Sequence, residues 1–202
     1  MKEKNHNKKT PIIIGLITSL FGIYILGELF SNLNLFQDSY LKQVIFSDFR
    51  KWLIVVLILS IIIYWEKRKL SSIGFKKLTI KTTLISILLG IVAVVLAVLT
   101  LGVLYNVLGL KEPSTLSTIS ELPLIVKLFT ITTAAITEEI LYRGYSIERI
   151  KDMSSSIIIG GLISGFIFLA MHFPDWGLAG AIPQIIFTIF LIGYYIKKRN
   201  LL

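Results

Sequence analysis

The stretch that decides the fold is 82–108, TTLISILLGIVAVVLAVLTLGVLYNVL, which holds no Asp, Glu, Lys or Arg. An α-helix rises about 1.5 Å per residue, and roughly 20 apolar residues cross the hydrocarbon core of a bilayer. This run exceeds that length and has room to tilt. Working outward, Ile12–Phe30 is a second apolar run, preceded by Lys2, Lys4, Lys8 and Lys9 and closed by Ser31-Asn32. The basic leader resembles a signal peptide, but the run is long and no small-residue cleavage site follows, so it reads as an uncleaved helix. Trp52–Trp65 is shorter, with a start near Leu41 as an alternative, and Asp48, Arg50 and Lys51 stand just before it. On the C-terminal side come runs from Leu122 to about Ile150, Ser156–Phe173 and Leu178–Ile196. The reading is an all-α, polytopic transmembrane helix bundle of about six spans.

Composition agrees. The chain has 202 residues, 54% hydrophobic and 16% charged, against about 25% charged in soluble domains. Its mean hydropathy is +0.79. A soluble fold of this size could not bury so much apolar surface. There is no cysteine, which excludes disulfides, thiolate metal sites and a cysteine nucleophile. The net charge of +9 does not read as nucleic-acid binding, because Lys and Arg sit in short clusters between apolar runs, as orientation signals do. Lys67, Arg68, Lys69, Lys76, Lys77 and Lys81 cluster in 66–81, Arg149 and Lys151 in the turn at 149–152, and Lys197, Lys198 and Arg199 at the end. With the N-terminal lysines, these fall on one side of a six-span bundle. The opposite connections are poorer in Lys and Arg, which places both termini in the cytoplasm. Leu70–Lys81 reads equally as a segment lying on the inner membrane surface or as a plain loop. No internal repeat or low-complexity segment occurs. The chain divides into a basic tail 1–11, N-terminal transmembrane helices 12–118 and a core 119–202.

Two features do not belong in an ordinary span. The first is Thr137-Glu138-Glu139-Ile140-Leu141-Tyr142-Arg143-Gly144. Each charge at membrane depth costs about 2.5–3.5 kcal/mol on insertion scales. Glu139 and Arg143 stand at i and i+4 with the acid first, the favourable order, whereas Glu138 points about 100° away and has no partner nearby in sequence. The bland reading is the wet end of a helix. The second is His172, after Phe166–Met171 and before Phe173-Pro174; a lone histidine there is usually interfacial. If the fourth and fifth spans form an antiparallel hairpin turning near Met153-Ser154, Glu138 and His172 differ in height by about 4–5 Å. Phe168 shares the face of His172. A carboxylate and an imidazole meeting in a low-dielectric interior suit water activation, oxyanion stabilisation or metal ligation. HExxH, P-loop, GxSxG and GxGxxG motifs are absent.

Glu138-Glu139-x-x-x-Arg143, followed by Phe168-x-x-x-His172 and accompanied by Tyr142-Arg143-Gly144-Tyr145, resembles the first two motifs of the CAAX prenyl protease and bacteriocin-processing (CPBP, Abi) family of intramembrane proteases. The resemblance covers roughly Ile119–Leu202. It implies that Glu138 activates water, that Glu139 assists or orients Arg143, and that His172 stabilises an oxyanion or ligates a metal. Glu138 and His172 are the metal candidates, with the cofactor left open between a divalent ion such as zinc and none. It further implies an endopeptidase acting on membrane-associated proteins or peptides, in contact with membrane lipid and not with nucleic acid. In bacteria, where the Ile-, Lys- and Asn-rich composition points, it implies leader processing, membrane-protein regulation or bacteriocin self-immunity. The family has one more motif, a second histidine followed four residues on by Asn or Asp. Gly193–Leu202 looks like the segment preceding it, as in a truncated product or a natural short form, and no other histidine substitutes. The rival readings are a non-catalytic immunity or scaffold protein on the same fold, and a small transporter in which Glu138, Glu139 and His172 form a proton or cation path; Pro183 is the candidate helix break for the latter.

Overall fold

The computed structural model describes residues 3–31, 39–77, 79–111 and 113–201. Lys2, Asn32 and Leu202, named above, lie outside them. The fold is an all-α bundle, and no strand occurs among the described residues. Helix α1 is Glu3–Ser31, and α2 is Tyr40–Ser60. A single π turn, Ile61–Trp65, continues α2, and a 3-10 turn follows at Leu70–Ile73. Next come α3 (Ile80–Asn106), the short α4 (Ser114–Ser120) and α5 (Leu124–Glu138). The chain then widens into a π segment, Glu139–Ser146, and returns to α-helix in α6 (Ile147–Ser154) before α7 (Ile157–Lys198).

Among the described residues, three stretches are long and apolar enough to cross a membrane: Lys9–Phe30, Thr83–Asn106 and Ile157–Lys198. The last is broken at Gly177, whose φ of 57° and ψ of −166° lie in a region adopted almost only by glycine. On either side the two halves double back on each other. A side chain at Gly161 would meet Ile192 and Ile196, and one at Gly165 would meet Ile192 and Thr188. Two glycines four apart let these halves approach closely, as small residues do at membrane helix crossings. The expected break at Pro183 is displaced: Pro183 is buried within the helix, and Gly177 supplies the break because its backbone conformation, not a missing N–H, ends the first half.

Surface and interior are inverted relative to a soluble protein. Leu84, Ile87, Leu88, Ile91, Val98 and Leu99 of α3 are exposed, while Asp48, Arg143, Glu148 and Arg149 are buried. Helix α3 packs on α7, and α2 bridges α1 and α5. The apolar core gathers Leu20, Ile54, Ile58, Ile62, Ile73, Leu141, Tyr145 and Phe168.

The second run takes the earlier of its two expected starts, at Tyr40, because Ser39 caps the helix by accepting the Lys42 N–H. In segment 70–77, Ile73 is fully buried and Leu70 and Phe75 pack against the core, so these apolar residues face protein. One expectation changes. Arg149 is not a free turn charge. Helix α6 runs past it to Ser154, the chain reverses at Ser155 with φ 61°, and Arg149 is 1% exposed.

Candidate active site

The glutamates stand where the helix widens. Helix α5 leads up to Glu138 on a threonine-lined face: Thr130 donates to the Asp48 carboxylate at 2.7 Å, Trp52 Nε1 donates to Thr133 Oγ1 at 3.2 Å, and Thr137 donates to the Thr133 carbonyl at 2.7 Å. From Glu139 to Ser146 the backbone adopts i→i+5 bonding, rare in helices and frequent at functional sites. Side chains occupy the carbonyls that widening presents. Ser146 Oγ reaches the Leu141 carbonyl at 2.8 Å, and Ser164 donates to the Tyr142 carbonyl at 2.6 Å. Gly144 admits the 3-10 turn, since a Cβ there would stand 2.8 Å from the Ile73 carbonyl oxygen.

The hairpin of the π segment and α6 against α7 brings Glu138 to His172. The Glu138 Oε1 to His172 Nε2 distance is 3.7 Å, with the side chains 21% and 23% exposed. His172 Nδ1 lies 2.8 Å from the Phe168 carbonyl. A carbonyl only accepts, so Nδ1 carries the proton and Nε2 is the atom turned to the glutamate. The imidazole lies on the Phe168 ring, centroids 4.2 Å apart, and Tyr142 meets that ring edge-on at 5.0 Å. Arg143 covers Phe168 with its guanidinium carbon 4.5 Å from the centroid and places Nε 3.4 Å from Glu139 Oε1. Arg143 Nη1 is buried without a partner. All four candidate side chains therefore converge around Phe168, with Glu139 held by Arg143 and Glu138 left to His172.

Across 3.7 Å the pair is beyond direct hydrogen-bond length, and a water lying against both is within reach of each. The metal candidates are these two residues. A catalytic zinc takes three protein ligands, and no group of three His, Cys, Asp or Glu that could hold a metal ion occurs among the described residues. The donor set here falls one short, and no step is derived through a metal.

Sequence reading missed a second polar cluster at the start of α6, beyond the π segment. Glu66 and Arg149 form an ion pair with side chains 2% and 1% exposed. Glu148 accepts from Tyr195 Oη at 3.1 Å and pairs with Arg199. The Leu201 N–H donates to the Gly74 carbonyl at 3.0 Å. Buried Asp48 was also missed, having been read as part of a charged leader. No local signal marks their burial, because the partners Glu66, Tyr195, Arg199 and Thr130 are distant in sequence from the residues they meet.

Fold and site together define a helical membrane protein with a carboxylate–imidazole pair set beside a widened helix. Residues 120–202 match the family described as type II CAAX prenyl endopeptidase Rce1-like, the family that the two motifs resemble. Comparison with curated proteins and with solved structures gives no match.

Proposed function

We propose that this chain is an intramembrane endopeptidase of the CAAX-protease type, hydrolysing peptide bonds of membrane-associated proteins or peptides. The observation that carries the reading is the Glu138–His172 approach at 3.7 Å, with Nδ1 fixed by the Phe168 carbonyl. Glu138 takes a proton from water, the resulting hydroxide attacks the amide carbonyl, and Glu138 returns the proton to the leaving amine. A second proton on His172, at Nε2, makes the ring a donor toward the oxyanion. Arg143 balances the charge of Glu139, which leaves Glu138 as the base. The reading places about six spans in the membrane, with both termini cytoplasmic by the distribution of Lys and Arg. It makes lipid and a membrane-associated polypeptide the partners, excludes nucleic acid, and favours a bacterial source. A second reading, a non-catalytic protein acting in bacteriocin immunity or as a scaffold, is favoured by the donor set, since no group of three His, Cys, Asp or Glu that could hold a metal ion occurs among the described residues.

The test is peptide hydrolysis by the full chain in proteoliposomes, with a quenched-fluorescence library of apolar peptides, comparing wild type with Glu138→Gln. General-base removal is worth about 10²–10⁴-fold, so turnover should drop by at least two orders of magnitude. Cleavage that survives Glu138→Gln unchanged overturns the assignment of the base. An immunity phenotype that also survives it supports the second reading.

A further inference from the structure

The widened segments 61–65 and 139–146 are cross-linked. The π turn 61–65 closes with the Glu66 N–H bonded to the Ile61 carbonyl at 2.8 Å. Tyr145, inside the other π segment, donates from Oη to Glu66 Oε1 at 2.7 Å. Arg149 takes the second carboxylate oxygen, with Nε 2.8 Å and Nη2 2.7 Å from Oε2. Arg149 Nη2 also reaches Ser72 Oγ at 3.0 Å, and its guanidinium carbon stands 5.1 Å from the Tyr145 ring centroid. Gly15 of α1 lets the tyrosine through: a Cβ there would overlap its hydroxyl. Both carboxylate oxygens of Glu66 are thus used, on a side chain closed to solvent.

We propose that Glu66, Tyr145 and Arg149 set the rotation of the 139–146 segment and so aim Glu138 at His172. Tyr145 and Glu66 are positioning residues for the pair. The argument is angular. An unbroken α-helix turns about 100° per residue, so residues 138 and 149 would lie within about 20° of one another on the same face. An i→i+5 turn rotates each residue about 80°, so eight of them lag by roughly 160°. That lag sends Glu138 toward α7 and Arg149 toward the end of α2, as the contacts require. Ser146 and Ser164 hold the middle of the segment by its carbonyls. The Glu66 cluster, with the Ser146–Ser19 hydroxyl pair at 2.8 Å, holds its far end against rewinding. The chemical meaning of the aim rests on the function proposed above; the aim itself does not.

The experiment reads both. Only His6 and His172 are present, so ¹⁵N-histidine NMR of the full chain in nanodiscs resolves the His172 ring. Glu138→Gln defines the signal of a histidine without its partner. Tyr145→Phe removes one oxygen, and Glu66→Gln is the second variant. Arg68→Gln, which breaks the exposed Arg68–Asp152 pair, controls for charge loss at the same end. Losing a hydrogen bond to a carboxylate changes a conformational population about tenfold or more. The His172 resonance of Tyr145→Phe should therefore move toward that of Glu138→Gln, while Arg68→Gln leaves it in place. Hydrolysis, where wild type shows it, should lose about tenfold in kcat at unchanged KM. A shifted resonance in a chain that cleaves nothing supports the positioning and overturns the peptidase reading. A His172 resonance in folded Tyr145→Phe identical to wild type overturns the positioning.

Discussion

Gly160→Ala should damage the site from a distance, and the size of the effect can be worked out. A Cβ at Gly160 would lie 2.5 Å from the Ile147 carbonyl oxygen, where ordinary contact begins at 3.4 Å. The obstacle is backbone, so no rotamer change relieves it, and α7 must move by about 0.9 Å relative to α6. The hairpin pivots at Ser155-Ser156, roughly 7 Å along the helix from Gly160, and His172 lies roughly 18 Å further on. A rigid swing therefore opens the pair by about 3 Å, close to doubling the present separation. Overpacking of this kind costs about 1–3 kcal/mol, against an α-helical propensity gain of about 0.5–1 kcal/mol for replacing glycine. The net is a loss. Gly193 is the internal control, since a Cβ there meets nothing within 4 Å; Gly193→Ala keeps only the gain. Denaturant unfolding followed by circular dichroism, with hydrolysis on the same preparations, should show opposite signs of stability change and activity lost only in Gly160→Ala. A Gly160→Ala protein as stable and as active as wild type would refute the geometry of the α6–α7 crossing.

Two further changes test other parts of the fold. Gly177→Ala meets no steric obstacle, yet φ 57° with ψ −166° is strained for any other residue, so it should destabilise by about 1–3 kcal/mol in the same unfolding assay. Asp48→Ala removes the acceptor of Thr130 Oγ1 at 2.7 Å and of Lys51 Nζ at 3.3 Å from a side chain 1% exposed. It should cost about 3–5 kcal/mol, with Asp48→Asn costing less because the amide oxygen still accepts from Thr130.

What the sequence made legible follows from where its information is local. The apolar runs become helices because burial in lipid and backbone pairing act within each run, and the observed ends fall within a few residues of the run ends except in α1 and α2. The meeting of Glu138 and His172 was legible because a hairpin with a short turn fixes heights by counting residues. Rotation was not legible. Counting at 3.6 residues per turn assumes an unbroken α-helix, and the 139–146 segment violates that assumption at the site itself. Arg149 was misread for the same reason: its partner Glu66 lies 83 residues away, and no periodicity connects them. Gly177 was passed over for Pro183 because proline announces a missing donor in the sequence, whereas a positive φ is visible only in the backbone.

The buried charges sort into two levels, and the difference between them bears on function. In the cluster around Glu66 and Glu148 the carboxylates meet guanidinium or hydroxyl partners. Such a network costs little only when complete, and then it rigidifies. At the level of Phe168 the accounts stay open: Glu138 and His172 stop at 3.7 Å, both partly exposed, and Arg143 Nη1 has no partner. Groups held short of satisfaction at membrane depth are expensive, and they persist where something else is to be bound or a proton moved. A purely structural role for Glu138 and His172 would be served better by closing that gap, as the lower cluster does. On the proposed function, the gap is the feature that separates a reacting pair from another fastening, and on the proposed positioning the complete cluster beneath it supplies the stiffness that keeps the gap at its length.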